Sequence, residues 1–446
     1  MRNTISHDSG DDGGTRFQDV EGSVTHSAEQ ELPHLTPSTM EQLCSIENLR
    51  AAFVKVKRNQ GAPGIDHKSI QDIESRLDFY LERTRKQLLA GTYPPQPVLR
   101  RDIPKENGKT RKLGIPTVLD RMVQQACVQV LSPLLDPGFS DSSYGFRPGR
   151  SAHQAVQKAS QYVQDGKVWV VDIDLEAFFD NVNHDRLMSR LASKVQDKKV
   201  LKLIRRFLKS GIMDNGIKIE TVKGTPQGGP LSPLLSNVML HDLDQELENR
   251  GHSFCRYADD CNIYVHSLPA AKRVFESTRL FIERKLKLRV NKSKSACDSV
   301  HKRKFLGFTI SKTGSIAPAK AAIRKAKDKI RKLTKRNQGK SMEFVVSGLN
   351  SFLKGWHNYF AISQGQDTFT ELDSWIRRRL RCYRLKQCKR SKPIALFLMK
   401  LGVPPFRAWP LAASRKGWWR LSRCPQSHEA MTNQFFKDIG LFALAT

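Results

Sequence analysis

The stretch Phe254-Cys255-Arg256-Tyr257-Ala258-Asp259-Asp260-Cys261-Asn262-Ile263-Tyr264-Val265 constrains the fold of this chain more than any other. Two short runs rich in aromatic and β-branched residues flank a tight Ala-Asp-Asp, which predicts a β-hairpin with a carboxylate pair at or beside its tip. Adjacent acids between apolar strands repel each other, and partial burial adds to the penalty, unless positive charge sits against them. A divalent cation is the usual remedy. A solvated turn is the alternative, because Asp is common in turns, and the pair taken alone favours that reading.

A third acid upstream shifts the balance. Lys167-Val168-Trp169-Val170-Val171 is a β-prone run of the kind found in a buried strand, and it delivers Asp172, Ile173 and Asp174 ahead of Leu175-Glu176-Ala177-Phe178-Phe179-Asp180. Alternation along a strand puts Asp172 and Asp174 on one face, so either could reach a metal. A helix from about Asp185 follows, capped by the Asn183-His184-Asp185 cluster.

The segments around these acids have their own signatures. An amphipathic pattern from Glu41 (Leu43, Ile46, Leu49, Phe53, Val54) predicts the first packed helix, Gln60-Gly61-Ala62-Pro63-Gly64 breaks it, and a second helix spans Ile73 to Leu89. Two extended runs, 98–105 and 110–116, joined through Asn107-Gly108, read as a hairpin studded with cations. It could lie over phosphates, with Lys109 and Arg111 best placed, or be merely a solvated basic hairpin. After a helix over Asp120 to Leu135, Ser143-Tyr144-Gly145-Phe146-Arg147-Pro148-Gly149-Arg150-Ser151 mixes aromatics with arginines. Such a loop suits stacking and backbone contacts with nucleic acid, and equally a packed turn. Lys223-Gly224-Thr225-Pro226-Gln227-Gly228-Gly229-Pro230 opens a helix through Leu234, Val238, Leu240 and Leu243, its glycines allowing a base pair or sugar close to the backbone.

Charge identifies the class of partner. Against 44 acidic residues stand 75 lysines and arginines, a formal net charge of +31, which points to a polyanion. A membrane surface would attract the same charge, but no apolar run approaches a span and no signal pattern opens the chain. Nucleic acid is the favoured partner. The eight cysteines are scattered without C-x2-C pairs, so neither a zinc module nor a disulfide framework is indicated, and a reducing, cytoplasmic setting fits. Residues 1–40 hold only Arg2 and Arg16 as basic residues and read as an acidic disordered tail; lacking the make-up of an organellar transit peptide, it argues for a bacterial protein.

Taken in order, these pieces resemble reverse transcriptases, and within them the group II intron-encoded reverse transcriptase/maturase family. Tyr257-Ala258-Asp259-Asp260 looks like the family's YADD motif, Val171 to Asp180 like its first catalytic strand, and Thr225-Pro226-Gln227-Gly228 like its template-and-nucleotide helix entrance. Ser143 to Pro148, Asn291-Lys292-Ser293-Lys294 and Phe305-Leu306-Gly307-Phe308 match a loop of this branch and the later palm and primer-grip motifs. The likeness runs over roughly residues 45–440. It implies an α+β right-hand polymerase, with an antiparallel palm sheet flanked by helices and fingers over 41–315, a helical basic thumb/maturase domain over 316–400 and a short basic segment over 401–446. Asp174, Asp259 and Asp260 would then be the catalytic acids and the ligands of two Mg²⁺ ions, with Mn²⁺ an alternative, and Asp172 a support for its strand. Nucleotidyl transfer places one cation at the primer 3′-OH and one at the triphosphate. Lys109, Arg111, Phe179, Gln227 and Lys294 would bind nucleotide, Phe179 excluding a 2′-OH. Dedicated endonuclease modules in the family carry paired cysteines and histidines, whereas Cys424 and His428 stand alone, so the expectation is the branch without that activity.

Beyond Phe308 the composition turns basic. Residues 321–333 keep Ile323, Ala326, Ile330 and Leu333 on one face and cover the rest with lysine and arginine, and a second helix aligns Leu349, Phe352, Leu353, Trp356 and Phe360 for core packing. From Ser374 to His428 there is no acidic residue, and a solvated face normally mixes signs. Arg377, Arg378, Arg379 and Arg381, with Arg147 and Arg150, are therefore the expected nucleic-acid contacts. By the resemblance the partners are the host group II intron RNA, an RNA template with DNA primer, dNTPs and target DNA, with no membrane. A catalytically silent RNA-binding splicing factor, or a reverse transcriptase of phage defence, are the alternatives.

Overall fold

The computed structural model describes residues 38–104, 110–214, 217–219, 223–224 and 228–445. The chain adopts the α+β class expected of it, with ten strands in three sheets among the described residues. They are β1 (Val98–Pro104), β2 (Thr110–Ile115), β3 (Trp169–Ile173), β4 (Ile212–Asp214), β5 (Ile217–Ile219), β6 (Ser253–Tyr257), β7 (Asp260–Val265), β8 (Ala296–Ser299), β9 (Phe308–Ile310) and β10 (Ile316–Pro318).

The central sheet runs β6-β7-β3-β8, antiparallel throughout, and both of its faces are covered. On one side Val171, Ile173, Phe254, Cys261, Ile263 and Val265 join a core built with the helices of residues 39–135 and 184–247. On the other, Val170, Cys255 and Tyr264 join a second core that continues into the C-terminal helices through Phe308, Leu349, Leu353 and Leu380. Cover on both sides explains why these strands are near-continuous apolar runs rather than alternating ones.

The basic hairpin forms with the register Leu99↔Ile115 to Pro104↔Thr110, and β1 also pairs in parallel with β4, a contact across more than a hundred residues that no local pattern announces. The segment expected as one helix from Ile73 to Leu89 is two, Ile70–Glu74 and Leu77–Leu89, the first closed by a reciprocal Ser69–Asp72 cap. Val54, expected on the packed stripe of the Ile46–Arg58 helix, is 45% exposed because its neighbour Phe53 takes the core position.

The helices Lys320–Leu333, Met342–Phe360 and Gln366–Cys388 form as expected, with Ala326, Ile330, Leu349 and Leu353 buried and the Trp356 ring 4.7 Å from that of Phe360. Residues 401–446 are more than a basic segment. Ala408, Leu411, Leu421, Met431, Phe436 and Leu444 enter the second core, and Asp373 of the Gln366–Cys388 helix accepts the backbone N–H groups of Leu444 and Ala445 at 2.9 and 3.0 Å.

Candidate active site

The β3–β7 register places the acids. Along the face shared by alternate residues, the opposed pairs run Val170↔Tyr264, then Asp172↔Asn262. Extended by two residues, the same register sets Asp174 opposite Asp260. Apolar contact thus gives way to a polar pair and then to carboxylates as the strands leave the core.

Asp172 and Asp174 are separated by what faces them. Asp172 accepts two hydrogen bonds from Arg303, Nε at 2.9 Å and Nη2 at 2.5 Å, and the Asn262 amide, turned nitrogen-first, donates to its other oxygen at 3.2 Å. Burial raises its carboxyl, and Arg303 opposes that. Asp174 lies just past the strand end, its backbone N–H donating to Ser295 Oγ at 3.0 Å and its carbonyl accepting from Asn291 N at 2.9 Å. Its carboxylate accepts from Lys294 Nζ at 3.0 and 3.1 Å, so the Asn291–Lys294 motif is brought against it. Asp260 keeps solvent access, yet the surrounding protein displaces enough water to be the first cause raising its carboxyl to about 6, and repulsion from Asp259, Asp172 and Asp174 adds to this. Four mutually repelling acids with hard oxygen donors suit a divalent cation of the Mg²⁺ kind. Among the described residues no three His, Cys, Asp or Glu side chains are grouped as a ready-made metal site, and the Asp174 carboxylate is taken by Lys294.

The turn carrying Asp259 and Asp260 is held from beneath. Ala258 sits at φ +58°, a region costly for a residue with a Cβ. Arg256, wholly buried, donates to its carbonyl from Nη1 at 2.9 Å, to both Asp244 oxygens at 2.6 Å, to Asn237 Oδ1 at 3.1 Å and to Ser143 Oγ at 2.7 Å. Asn237 and Asp244 lie on the Ser232–Asn249 helix, and Asn237 Nδ2 also donates to Gly145 O. A Cβ on Gly145 would come within 2.3 Å of the Ala258 nitrogen, so only glycine permits this contact. Ser143 to Gly145 are therefore packed beneath the turn, whereas Phe146 of the same loop stays exposed. Sequence reasoning missed Arg256, Asn237 and Asp244; the available signal was an arginine inside an otherwise apolar strand.

A cleft of about 660 Å³ is lined by Phe146, which neighbours Tyr257 of the acid turn, and by Phe179, Arg121, Leu113 to Pro116, Gly228 to Pro230, Ser232 and Pro233. Phe179 reaches it because Ala177, at φ +43°, turns the chain so that Phe178 is buried and Phe179 half-exposed. Gly228 was expected to admit a substrate; what approaches it is this chain's own Gly114, whose carbonyl would lie 2.3 Å from a Cβ there. Lys109 and Gln227 lie outside the described residues, and Arg111 is placed by its backbone alone, opposite Ile103.

Two arginines expected at the surface are instead inside. Arg147, its side chain 5% exposed, donates to Asp136 Oδ1 at 2.7 Å and to the carbonyls of Ser140 and Ser143. Arg381 is buried, with Nε and Nη2 both on Met431 O at 3.0 and 2.9 Å. Charge counts along a helix do not reveal which arginines face a neighbouring carbonyl. Arg150 pairs with Asp141, Arg379 donates to Thr334 Oγ1, and Arg378 lies 4.0 Å over Trp419, while these and Arg377 keep part of their surface in solvent.

Comparison with known proteins agrees with this layout. A family model described as reverse transcriptase (RNA-dependent DNA polymerase) matches residues 103–310, and one described as group II intron, maturase-specific domain matches 323–402. Protein YkfC of Escherichia coli (strain K12) is 35% identical over 277 residues, covering 54% of this chain and 73% of that protein. Group II intron-encoded protein LtrA of Lactococcus lactis subsp. cremoris is 38% identical over 218 residues, 45% of this chain and 36% of LtrA. Nuclear intron maturase 2, mitochondrial, of Arabidopsis thaliana is 27% identical over 267 residues, 51% of this chain and 34% of that protein. The chain thus matches about a third of the length of the two intron proteins.

Proposed function

This chain belongs to the group II intron-encoded reverse transcriptase/maturase family, and from that premise we propose that it copies RNA into DNA at the Asp174, Asp259 and Asp260 cleft and also binds its host intron RNA to promote splicing and mobility. What supports the first part is that the β3–β7 register, continued one step past Ile173↔Cys261, sets Asp174 opposite Asp260, and that the Asp174 charge raises the Asp260 carboxyl. Asp174, Asp259 and Asp260 are the residues that would hold two divalent cations. Bound there, the ions supply Lewis-acid stabilisation of the triphosphate and a more acidic primer 3′-OH.

The remaining work falls to the chain's own side chains. Ser295 and Asn291 hold the Asp174 backbone, Arg256 holds the Ala258 carbonyl, and Lys294 sets a positive charge against the Asp174 carboxylate. Phe179, on the cleft wall, is assigned the exclusion of a sugar 2′-OH from its motif position. The nucleotide-binding roles of Lys109, Arg111 and Gln227 follow from motif position alone.

Asp172 supports its strand and Asp174 holds the cation, so the two should separate on substitution. Asp172→Asn is expected to lower stability by about 1–3 kcal/mol in urea unfolding, through its weakened Arg303 pair. Primer extension should then stay within about tenfold of wild type, a barrier change of roughly 1.4 kcal/mol or less. A loss as large as that of Asp174→Asn would move the metal role to Asp172.

The maturase-specific match over 323–402 supports an intron RNA rather than a defence substrate as the second partner. Arg377, Arg378 and Arg379 supply the contact surface, on a run from Ser374 to His428 that has no acid to repel phosphate. Binding of the intron RNA flanking the coding region should fall with salt between about 50 and 200 mM, with a log–log slope near 0.7–0.9 per contacted phosphate. The full chain should also raise the splicing rate of that RNA at low Mg²⁺ and leave an unrelated RNA of equal length unspliced and more weakly bound. Equal affinity for both RNAs with no splicing would refute the maturase part.

A further inference from the structure

Phe146 stands out in the loop beneath the acids. Ser143, Tyr144 and Gly145 on one side of it are buried and Arg147 on the other is anchored, yet the Phe146 residue is 54% exposed. Its backbone sits at φ +58°, a left-handed conformation that glycine or asparagine adopts readily and an aromatic residue does not. Neighbouring contacts impose it. Arg147, the residue that follows, is itself held by Asp136, Ser140 O and Ser143 O, while Tyr144 N donates to Arg256 O at 2.8 Å and Gly145 abuts Ala258. The chain is clamped on both sides, and the ring is extruded between the clamps.

Core packing does not account for an aromatic here, because the ring is mostly in solvent. Backbone geometry does not either, because it disfavours phenylalanine. What the position retains is a flat apolar face, 6.1 Å between centroids from the Tyr257 ring that precedes the acids, on the wall of the cleft that also contains Phe179. Strain held by surrounding contacts at such a site is a sign of function. A flat apolar face beside acids that take a primer 3′ end is covered best by a nucleobase and its sugar, since every base presents a π-face regardless of sequence.

We infer that Phe146 packs against the terminal base pair of the primer–template duplex and sets the 3′ end over Asp259 and Asp260. The inference rests on the polymerase reading above. Stacking of this kind is worth about 1–3 kcal/mol per base, so its loss should weaken duplex binding by roughly tenfold and leave the protein's own fold intact.

The test uses the full chain carrying Phe146→Gly, Phe146→Leu or Phe146→Tyr, an RNA template, and a DNA primer with 2-aminopurine at its 3′ end. Phe146→Gly should melt at the same temperature as wild type or higher, because the left-handed strain is relieved. Its affinity for the primed duplex should drop about tenfold with the dNTP KM nearly unchanged. Wild type should change the 2-aminopurine emission on binding and Phe146→Gly should not, while Phe146→Tyr should match wild type in both affinity and emission. A lowered melting temperature in Phe146→Gly without rescue by Phe146→Tyr would show a packing residue and overturn the inference. A raised dNTP KM with unaltered duplex affinity would assign the ring to the incoming nucleotide and overturn it equally. The fluorescence arm needs no turnover, so a wild type that binds and quenches but never extends refutes the polymerase reading and not the stacking contact.

Discussion

Replacing Asp174 or Asp260 by Asn is expected to lower nucleotide incorporation by roughly a thousandfold or more. A cation that stabilises transferring phosphoryl charge is worth several kcal/mol, and each 1.4 kcal/mol or so is a factor of ten in rate. The fold should not suffer. Asp260 is already driven up to about 6 by displaced water and by the charges of Asp259, Asp172 and Asp174, so removing one charge relieves repulsion. Without metal, Asp260→Asn should therefore melt no lower than wild type. With millimolar Mg²⁺ the wild type should gain thermal stability by mass action, and the variants should gain less. A variant that loses activity but keeps the full Mg²⁺-dependent shift would show that the acids serve something other than cation binding.

Arg256→Ala should have the largest effect on stability, about 3–5 kcal/mol by urea unfolding, since it strands the fully buried Asp244 carboxylate. Burial raises that carboxyl and Arg256 opposes the rise, so the loss of the guanidinium is not compensated locally. The double variant Arg256→Met/Asp244→Leu should regain much of this stability, because apolar replacement of a buried ion pair is often neutral. Incorporation should remain depressed by about tenfold or more in the recovered protein, since the Ala258 carbonyl has lost its donor at 2.9 Å. Full activity in the double variant would reduce the network to filling. Arg256 joins three parts of the fold, the acid turn, the 143–151 loop and the Ser232–Asn249 helix. That helix also begins at the cleft wall of Gly228 to Pro233.

How far these features could be read from the residues depends on how local their causes are. The hairpin of residues 253–265 was legible because apolar runs on both sides of Ala-Asp-Asp allow little else, and β6 and β7 pair from Ser253↔Tyr264 to Tyr257↔Asp260. The Lys320–Leu333 and Met342–Phe360 helices were legible from their period. Same-face placement of Asp172 and Asp174 was legible too, but not the choice between them, since Arg303 and Lys294 come from more than a hundred residues away. The burial of Arg147 and Arg381 is illegible for the same reason: beside Asp136, their partners are carbonyls of Ser140, Ser143 and Met431, and a carbonyl leaves no mark in a sequence. The parallel β1–β4 pairing and the C-terminal helices in the second core are likewise long-range outcomes of burial. Glycine at 228 was recognised as a point of close approach, but residue type alone could not say that Gly114 is what approaches.

Incorporation of dNTPs on a primed RNA template, in Mg²⁺, by wild type and Asp259→Ala at matched folded concentration tests the central claim most directly. The acid cleft predicts extension by wild type and none above background by Asp259→Ala, with circular dichroism of the two superimposable. Equal extension by both proteins, or none by a folded wild type, would contradict it.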